Sequence, residues 1–246
     1  MRNHFKKSFI ILAISLSVVL AACSGESTEQ QLHNHLEEAV SLEEGFEQQQ
    51  GEITELEKQE QELYKQIIDL SEDELDQIQE ISQQAIDTVD QRSKKIEAEK
   101  ESIDASQEEF NQVSDLIEDL EEEETKAKAE EMYDVMDNRY TAYNDLYNAY
   151  TESLELEREL YTMLQEEDLE QEALTDHINT INESYQQVLE ANEQFNDYTV
   201  EYNALKQEFY ELAGIDVEYE ENSSGDEGES EVEDSAEEDE DEETSE

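Results

Sequence analysis

The chain has 246 residues and a formal net charge of −59, from 14 Lys and Arg against 73 Asp and Glu. That balance supplies no basic patch and so excludes nucleic acid and anionic lipid headgroups as electrostatic partners. Apolar residues make up 35% of the chain, below the roughly 45–50% of an ordinary globular domain. Such a fraction suits helices that bury one narrow seam, and a single cysteine allows no internal disulfide.

Arg2, Lys6 and Lys7 form a positive n-region ahead of an uncharged, mostly apolar run over residues 8–22. The run is shorter than the ~20 residues of a membrane span and predicts a cleaved signal peptide over 1–22. It ends in Leu20-Ala21-Ala22-Cys23, followed by Ser24-Gly25, which resembles the lipobox of bacterial lipoproteins. The resemblance implies diacylglyceryl transfer to Cys23, cleavage before it, and anchorage of the exported chain on the extracytoplasmic face of the cell membrane. Two acyl chains hold far more firmly than one, at about 0.8 kcal/mol per buried CH₂. Removal of residues 1–22 takes three basic groups and no acids, leaving 11 against 73 and a net charge of −62.

Residues 23–27 read as a short linker, and 28–214 as a helical bundle. In the first helix Leu32, Leu36, Ala39, Phe46, Ile53, Leu56, Leu63, Ile67 and Leu70 recur at steps of three, four or seven, with Thr28-x-x-Gln31 as a capping box. A clearer box, Ser71 to Glu74, opens the second helix. There one seam position reads Leu75, Ser82, Val89, Ile96, Ile103, Phe110 and Ile117. Its partner reads Ile78, Ala85, Arg92, Glu99, Ser106, Val113 and Leu120. The polar middle predicts either loose packing or a stripe that drifts across the helix face.

The third helix is predicted to begin within residues 121–128, and Asp168 to cap the fourth. The fourth carries Leu174, Ile178, Ile181, Tyr185, Val188, Phe195, Tyr198, Tyr202, Leu205, Phe209 and Leu212, and ends at a C′ glycine, Gly214. The predicted fold is therefore all-α: an elongated antiparallel bundle of about four long helices. Helices of about 40–50 residues would be roughly 60–75 Å long. Residues 215–246 form an acidic tail with seven consecutive acids over 237–243. It is expected to stay disordered and to bind divalent cations weakly at most.

Chemistry-bearing motifs are scarce. Di-iron bundles need Glu-x-x-His, and none of the four histidines has Glu three residues before it. His33 and His35 stand two apart and diverge on a helix, and Asp176-His177 lacks a nucleophile at a suggestive spacing. No phosphate loop, nucleophile elbow or EF-hand pattern occurs. No catalytic residue, metal site or cofactor is expected. One apolar feature is unusual: Tyr133, Tyr140 and Tyr147 recur at seven, as do Tyr143 and Tyr150. This stripe either packs the core with hydroxyls at its wet edge, or presents Tyr140, Tyr143, Tyr147 and Tyr150 as a face for a glycan or a partner.

The lipobox, the stretch over residues 127–164 (AKAEEMYDVMDNRYTAYNDLYNAYTESLELERELYTML) and that over 203–219 (NALKQEFYELAGIDVEY) resemble the YkyA-type lipoproteins of Gram-positive bacteria. The resemblance covers about residues 1–219 and implies a helical bundle facing peptidoglycan from the membrane. It carries over no catalytic residue. Two functions follow as expectations. One is a non-enzymatic lipoprotein touching peptidoglycan or wall polymers. The other is an envelope spacer docking another coiled coil, for which Arg92, Glu99 and Ser106 would mark an imperfect face.

Overall fold

The computed structural model describes residues 26–216. The chain divides into two units, Met1–Asp216 and Val217–Glu246. The signal peptide, Cys23 and the acidic tail from residue 217 onward lie outside the described residues.

Six α-helices and one 3₁₀ turn make four arms, with no strand among the described residues. The first arm is α1 (Thr28–Leu42) and α2 (Glu44–Ile68); the second is the turn Glu72–Glu74, α3 (Leu75–Phe110) and α4 (Val113–Glu118). α5 (Glu123–Met163) and α6 (Gln171–Ala213) form the third and fourth. At 1.5 Å per residue the 41 residues of α5 and 43 of α6 span about 60 and 65 Å. α2 packs along α3 and α5 along α6, while α3 lies against α5 and joins the two pairs. Contacts run in opposite directions along each pair: Glu60 and Gln50 reach Arg92 and Glu99, and Tyr185 and Glu208 reach Glu157 and Lys128. Neighbouring arms are therefore antiparallel, as short connections require.

The core is drawn largely from the seams read from the sequence, although Tyr185 and Leu212 of the fourth stripe are 39% and 41% exposed. Leu32, Leu36, Ile53, Ile67, Val89, Ile96, Ile103, Phe110, Phe195 and Phe209 are all buried. The Ser71–Glu74 capping box is formed, with the Ser71 N–H donating to Glu74 at 3.0 Å. Gly214 adopts φ 66°, and the Ile215 N–H returns to the Tyr210 carbonyl at 2.9 Å, so a left-handed residue closes α6. Two caps differ from expectation. Ser27, not Thr28, caps α1, its hydroxyl accepting from the Gln30 N–H at 3.2 Å, while Gln31 reaches back to the Glu26 carbonyl at 3.0 Å. Asp168 caps nothing, because α6 starts at Gln171 behind Glu170, which makes no side-chain cap bond.

The break between α1 and α2 has no Pro at the junction and a tertiary cause. The Ser102 hydroxyl of α3 accepts from the Phe46 N–H at 3.1 Å and donates to the Leu42 carbonyl at 2.6 Å. It thus inserts into the bond those two groups would make in a continuous helix, a recognised origin of kinks. Gly45 permits the approach: a Cβ there would stand 3.0 Å from the Ser102 hydroxyl.

Candidate functional site

The polar positions in the second arm are neither loosely packed nor turned outward. Arg92 is 5% exposed, and Glu99 and Ser106 are fully buried. Each meets a tyrosine of α5. Arg92 donates to the Tyr150 hydroxyl from Nη2 at 2.8 Å and Nε at 3.1 Å. Glu99 accepts from the Tyr143 hydroxyl at 3.0 Å, and Ser106 lies 2.8 Å from the Tyr140 hydroxyl. In antiparallel helices a step of seven forward on one matches seven backward on the other, so residues 92 and 99 face 150 and 143. The polar heptad and the tyrosine heptad are one interlocked seam.

This corrects the expectation of an exposed aromatic platform. Tyr140 and Tyr143 are core residues whose rings pack edge-on to Phe110 and to Phe46 and Phe195. Tyr147 is half-buried against the cluster around Ile53 and Val89, and Tyr150 is half-buried over Arg92. It corrects equally the reading of Arg92, Glu99 and Ser106 as a face awaiting a partner, since their polar groups are bonded within the chain. The physical reason is the same: a buried polar group needs a partner, and the tyrosine hydroxyls provide them.

Three polar nodes result. At Glu43, Arg139 makes a two-pronged ion pair at 2.7 and 2.8 Å, and its Nε donates to Thr199 at 2.9 Å. At Glu99, Gln50 adds a donor at 2.6 Å but no cation pairs with the carboxylate among the described residues. Burial therefore dominates, and the Glu99 carboxyl is pushed up to about 7 despite its two hydrogen bonds.

The third node is the most elaborate. Arg92 Nη1 donates to Glu60 at 2.5 Å and Glu157 at 2.6 Å, and Nη2 reaches Glu57 at 3.3 Å. Tyr150 donates to Glu57 at 2.8 Å and Tyr185 to Glu157 at 2.7 Å. Burial, only partly opposed by Arg92, pushes Glu157 up to about 7 and raises Glu60 as well. One guanidinium faces three carboxylates.

This node floors a cleft of about 560 Å³ between α2 and α6, lined also by Tyr64, Leu160, Tyr161, Ile178, Ile181 and Tyr185. A mostly apolar concavity of this size with a few convergent polar groups is the form small-ligand sites take. Among the described residues no set of three His, Cys, Asp or Glu is placed to hold a metal ion; here Arg92 occupies the space between the carboxylates. Glu57, Glu60, Glu157 and Tyr161 were not singled out in the sequence, and Tyr185 was read there only as part of the fourth helix's apolar stripe. A signal existed for two of them: Glu60 sits four residues beyond Leu56, and Glu157 lies between Leu154 and Tyr161, both on apolar stripes where a charge is out of place.

Residues 27–212 match the model of a family described as "Putative cell-wall binding lipoprotein", YkyA. The chain belongs to the YkyA family. Among the relatives of this family, "Uncharacterized lipoprotein YkyA" of Bacillus subtilis strain 168 is 31% identical over 203 residues, which span 82% of this chain and 91% of that protein. A crystal structure of a conserved protein of unknown function from Staphylococcus aureus superposes with a TM-score of 0.64 at 16% identity, covering 74% of this chain and 95% of that one. At that identity the likeness concerns the fold. YkyA proteins are thus lipoproteins by family name, and no helix among the described residues of this member is long and apolar enough to cross a membrane.

Proposed function

We propose that the protein is an extracytoplasmic lipoprotein, anchored through lipid on Cys23, whose bundle contacts peptidoglycan or another wall polymer without catalysing a reaction on it. The observation that carries this reading is the pairing of Leu20-Ala21-Ala22-Cys23 behind a short h-region with a family described as cell-wall-binding lipoproteins. The internal seam supports a binding role over a catalytic one. Its polar groups at Glu43 and Glu99 are engaged inside the bundle, and a concave, ligand-sized cleft lies above Arg92.

Two measurements test it. Cells fed an alkyne-labelled fatty acid should label the wild-type protein and leave Cys23→Ser unlabelled and of unprocessed size. Label retained by Cys23→Ser would refute the anchor. The mature chain (residues 24–246) should also co-sediment with purified sacculi in high salt. Failure to pellet in every salt and with Ca²⁺ present would refute wall contact.

A second reading, an envelope spacer that docks a helical protein, is supported by Leu189 and Val200. These residues of α6 are 61% and 71% exposed. Loss of a cross-linked partner in Leu189→Glu with sacculus binding unchanged would favour that reading.

A further inference from the structure

We infer that the cleft between α2 and α6 is a binding site for a primary ammonium group on a short aliphatic stem, the kind of group a lysine-like side chain of a wall peptide presents. The inference rests on the wall-contact reading for the source of the ligand, and on the cleft itself for its chemistry.

The charge of the site selects a cation. Glu57, Glu60 and Glu157 converge on one guanidinium, and among the described residues lining the cleft Lys58, exposed on α2, is the other cation. Arg92 has nothing left to offer an anion. Its Nη1 is taken by Glu60 and Glu157, its Nη2 by Glu57 and Tyr150, and its Nε by Tyr150 again. An incoming carboxylate or phosphate would meet three carboxylates and a saturated arginine, within a chain whose long-range field already repels polyanions.

Glu57 is the accessible end of the cluster. Its side chain is 43% exposed, against 8% for Glu60 and 4% for Glu157, and its 3.3 Å bond to Arg92 is the longest of the three. A carboxylate has about four lone-pair positions. Tyr150 and Arg92 both use Glu57 Oε1, and the hydrogen bonds of the cluster leave its Oε2 to a further donor. Leu160, Ile178 and Ile181 of the lining supply apolar surface for methylenes, and the lining also holds Tyr64 and Tyr185, aromatic residues of the kind that attract an ammonium group. Because Arg92 stands between Glu60 and Glu157, the carboxylates cannot close around a hard metal ion. An amine, needing one carboxylate and an apolar channel, fits.

A wall contact of this kind also resolves a charge conflict. A chain of net charge −59 should be repelled by an anionic wall, and an amine is the group through which the two can still attract.

The test uses the mature chain (residues 24–246) and two probes, Nα-acetyl-lysine methylamide and its Nε-acetylated counterpart, which differ in the charge of one nitrogen. Amide shifts followed by nuclear magnetic resonance in about 0.15 M salt should move at residues of α2 and α6 around the cleft for the charged probe alone. Glu57→Gln should weaken that binding about tenfold. Asn182→Trp, which adds bulk to the cleft lining from α6, should abolish it. Glu190→Gln, an equal loss of charge elsewhere on α6, should leave it unchanged.

Equal binding of both probes would overturn the inference, as would shifts confined to residues 217–246 or equal effects of Glu57→Gln and Glu190→Gln. Sacculi separate this failure from that of the wall reading. If amine-capped sacculi, treated with acetic anhydride, still pellet the protein and Glu57→Gln pellets like wild type, wall contact stands and the amine site falls. If the lysine probe binds in the cleft but no sacculi pellet the protein, the amine site stands and its assignment to the wall falls.

Discussion

Replacing Glu99 by glutamine should stabilise the protein, and should do so only above a definite pH. Glu99 is fully buried, accepts bonds from Tyr143 and Gln50, and has no cation beside it among the described residues. Its carboxyl rises from 4.5 to about 7 on folding because burial penalises the charged form. Between those values the folded chain keeps the proton that the unfolded chain has released, so stability falls as pH climbs through the window and levels off above it. The full shift corresponds to about 3 kcal/mol, at 1.36 kcal/mol per unit. Glutamine has the same shape and no charge, and by turning its amide can still bond Tyr143 and Gln50.

The assay is urea unfolding of the mature chain, wild type and Glu99→Gln, followed by circular dichroism from about pH 5 to about pH 8. Glu157 and the mutual repulsion of the surface acids also vary over this range, but they are common to both proteins and cancel in the difference. That difference should be smallest at the acid end, below about 1 kcal/mol, and grow to about 3 kcal/mol in favour of glutamine at the alkaline end. A gap that stays constant with pH, or a variant less stable at pH 8, would refute the argument that desolvation of this carboxylate outweighs its two hydrogen bonds.

Other outcomes follow from the same structure. Arg92→Met leaves Glu60 and Glu157 buried without their cation, and should cost about 3–5 kcal/mol near pH 8. The loss should be smaller near pH 5, where the Glu157 carboxyl, pushed up to about 7, is protonated in the folded chain and burial raises Glu60 in the same direction, and urea midpoints at the two pH values check it. Gly45→Ala gains helix propensity of up to about 1 kcal/mol but drives a methyl to 3.0 Å from the Ser102 hydroxyl, which carries two bonds. We expect a net loss of about 1 kcal/mol by thermal melts, and a net gain would show that Ser102 shifts at no cost. With 73 acids against 14 bases, raising salt from about 0.01 M to 1 M shrinks the screening length from about 30 to 3 Å. The melting temperature should rise with it, and an unchanged temperature would show that surface repulsion is irrelevant to folding.

Much of the fold was legible in the sequence because its determinants are local. The period of 3.6 marks an apolar stripe on each helix wherever the stripe points. The Ser71–Glu74 box and Gly214 act within a few residues of themselves, and both are seen as expected. The caps that were misplaced, at Thr28 and Asp168, fall where two or more polar residues compete for the role and neighbouring contacts choose between them. Likewise the resemblance of Leu20-Ala21-Ala22-Cys23 to a lipobox rests on four consecutive residues and needs no tertiary contact to be read.

What the tertiary structure decided is everything that depends on register between helices. Arg92, Glu99 and Ser106 looked like flaws in one helix, and Tyr140, Tyr143 and Tyr150 like an excess of aromatic surface on another. Antiparallel pairing sets one against the other and buries both. No reading of a single helix could show this, because a polar residue on a seam is costly or satisfied according to what stands opposite. The same holds for Ser102, which breaks the first arm from 56 residues away. It holds for the cleft too, assembled from α2, α3, α5 and α6 where α2 and α6 stand apart above Arg92. The sequence determined which faces must be covered; the packing of the arms determined by what, and where a gap would remain.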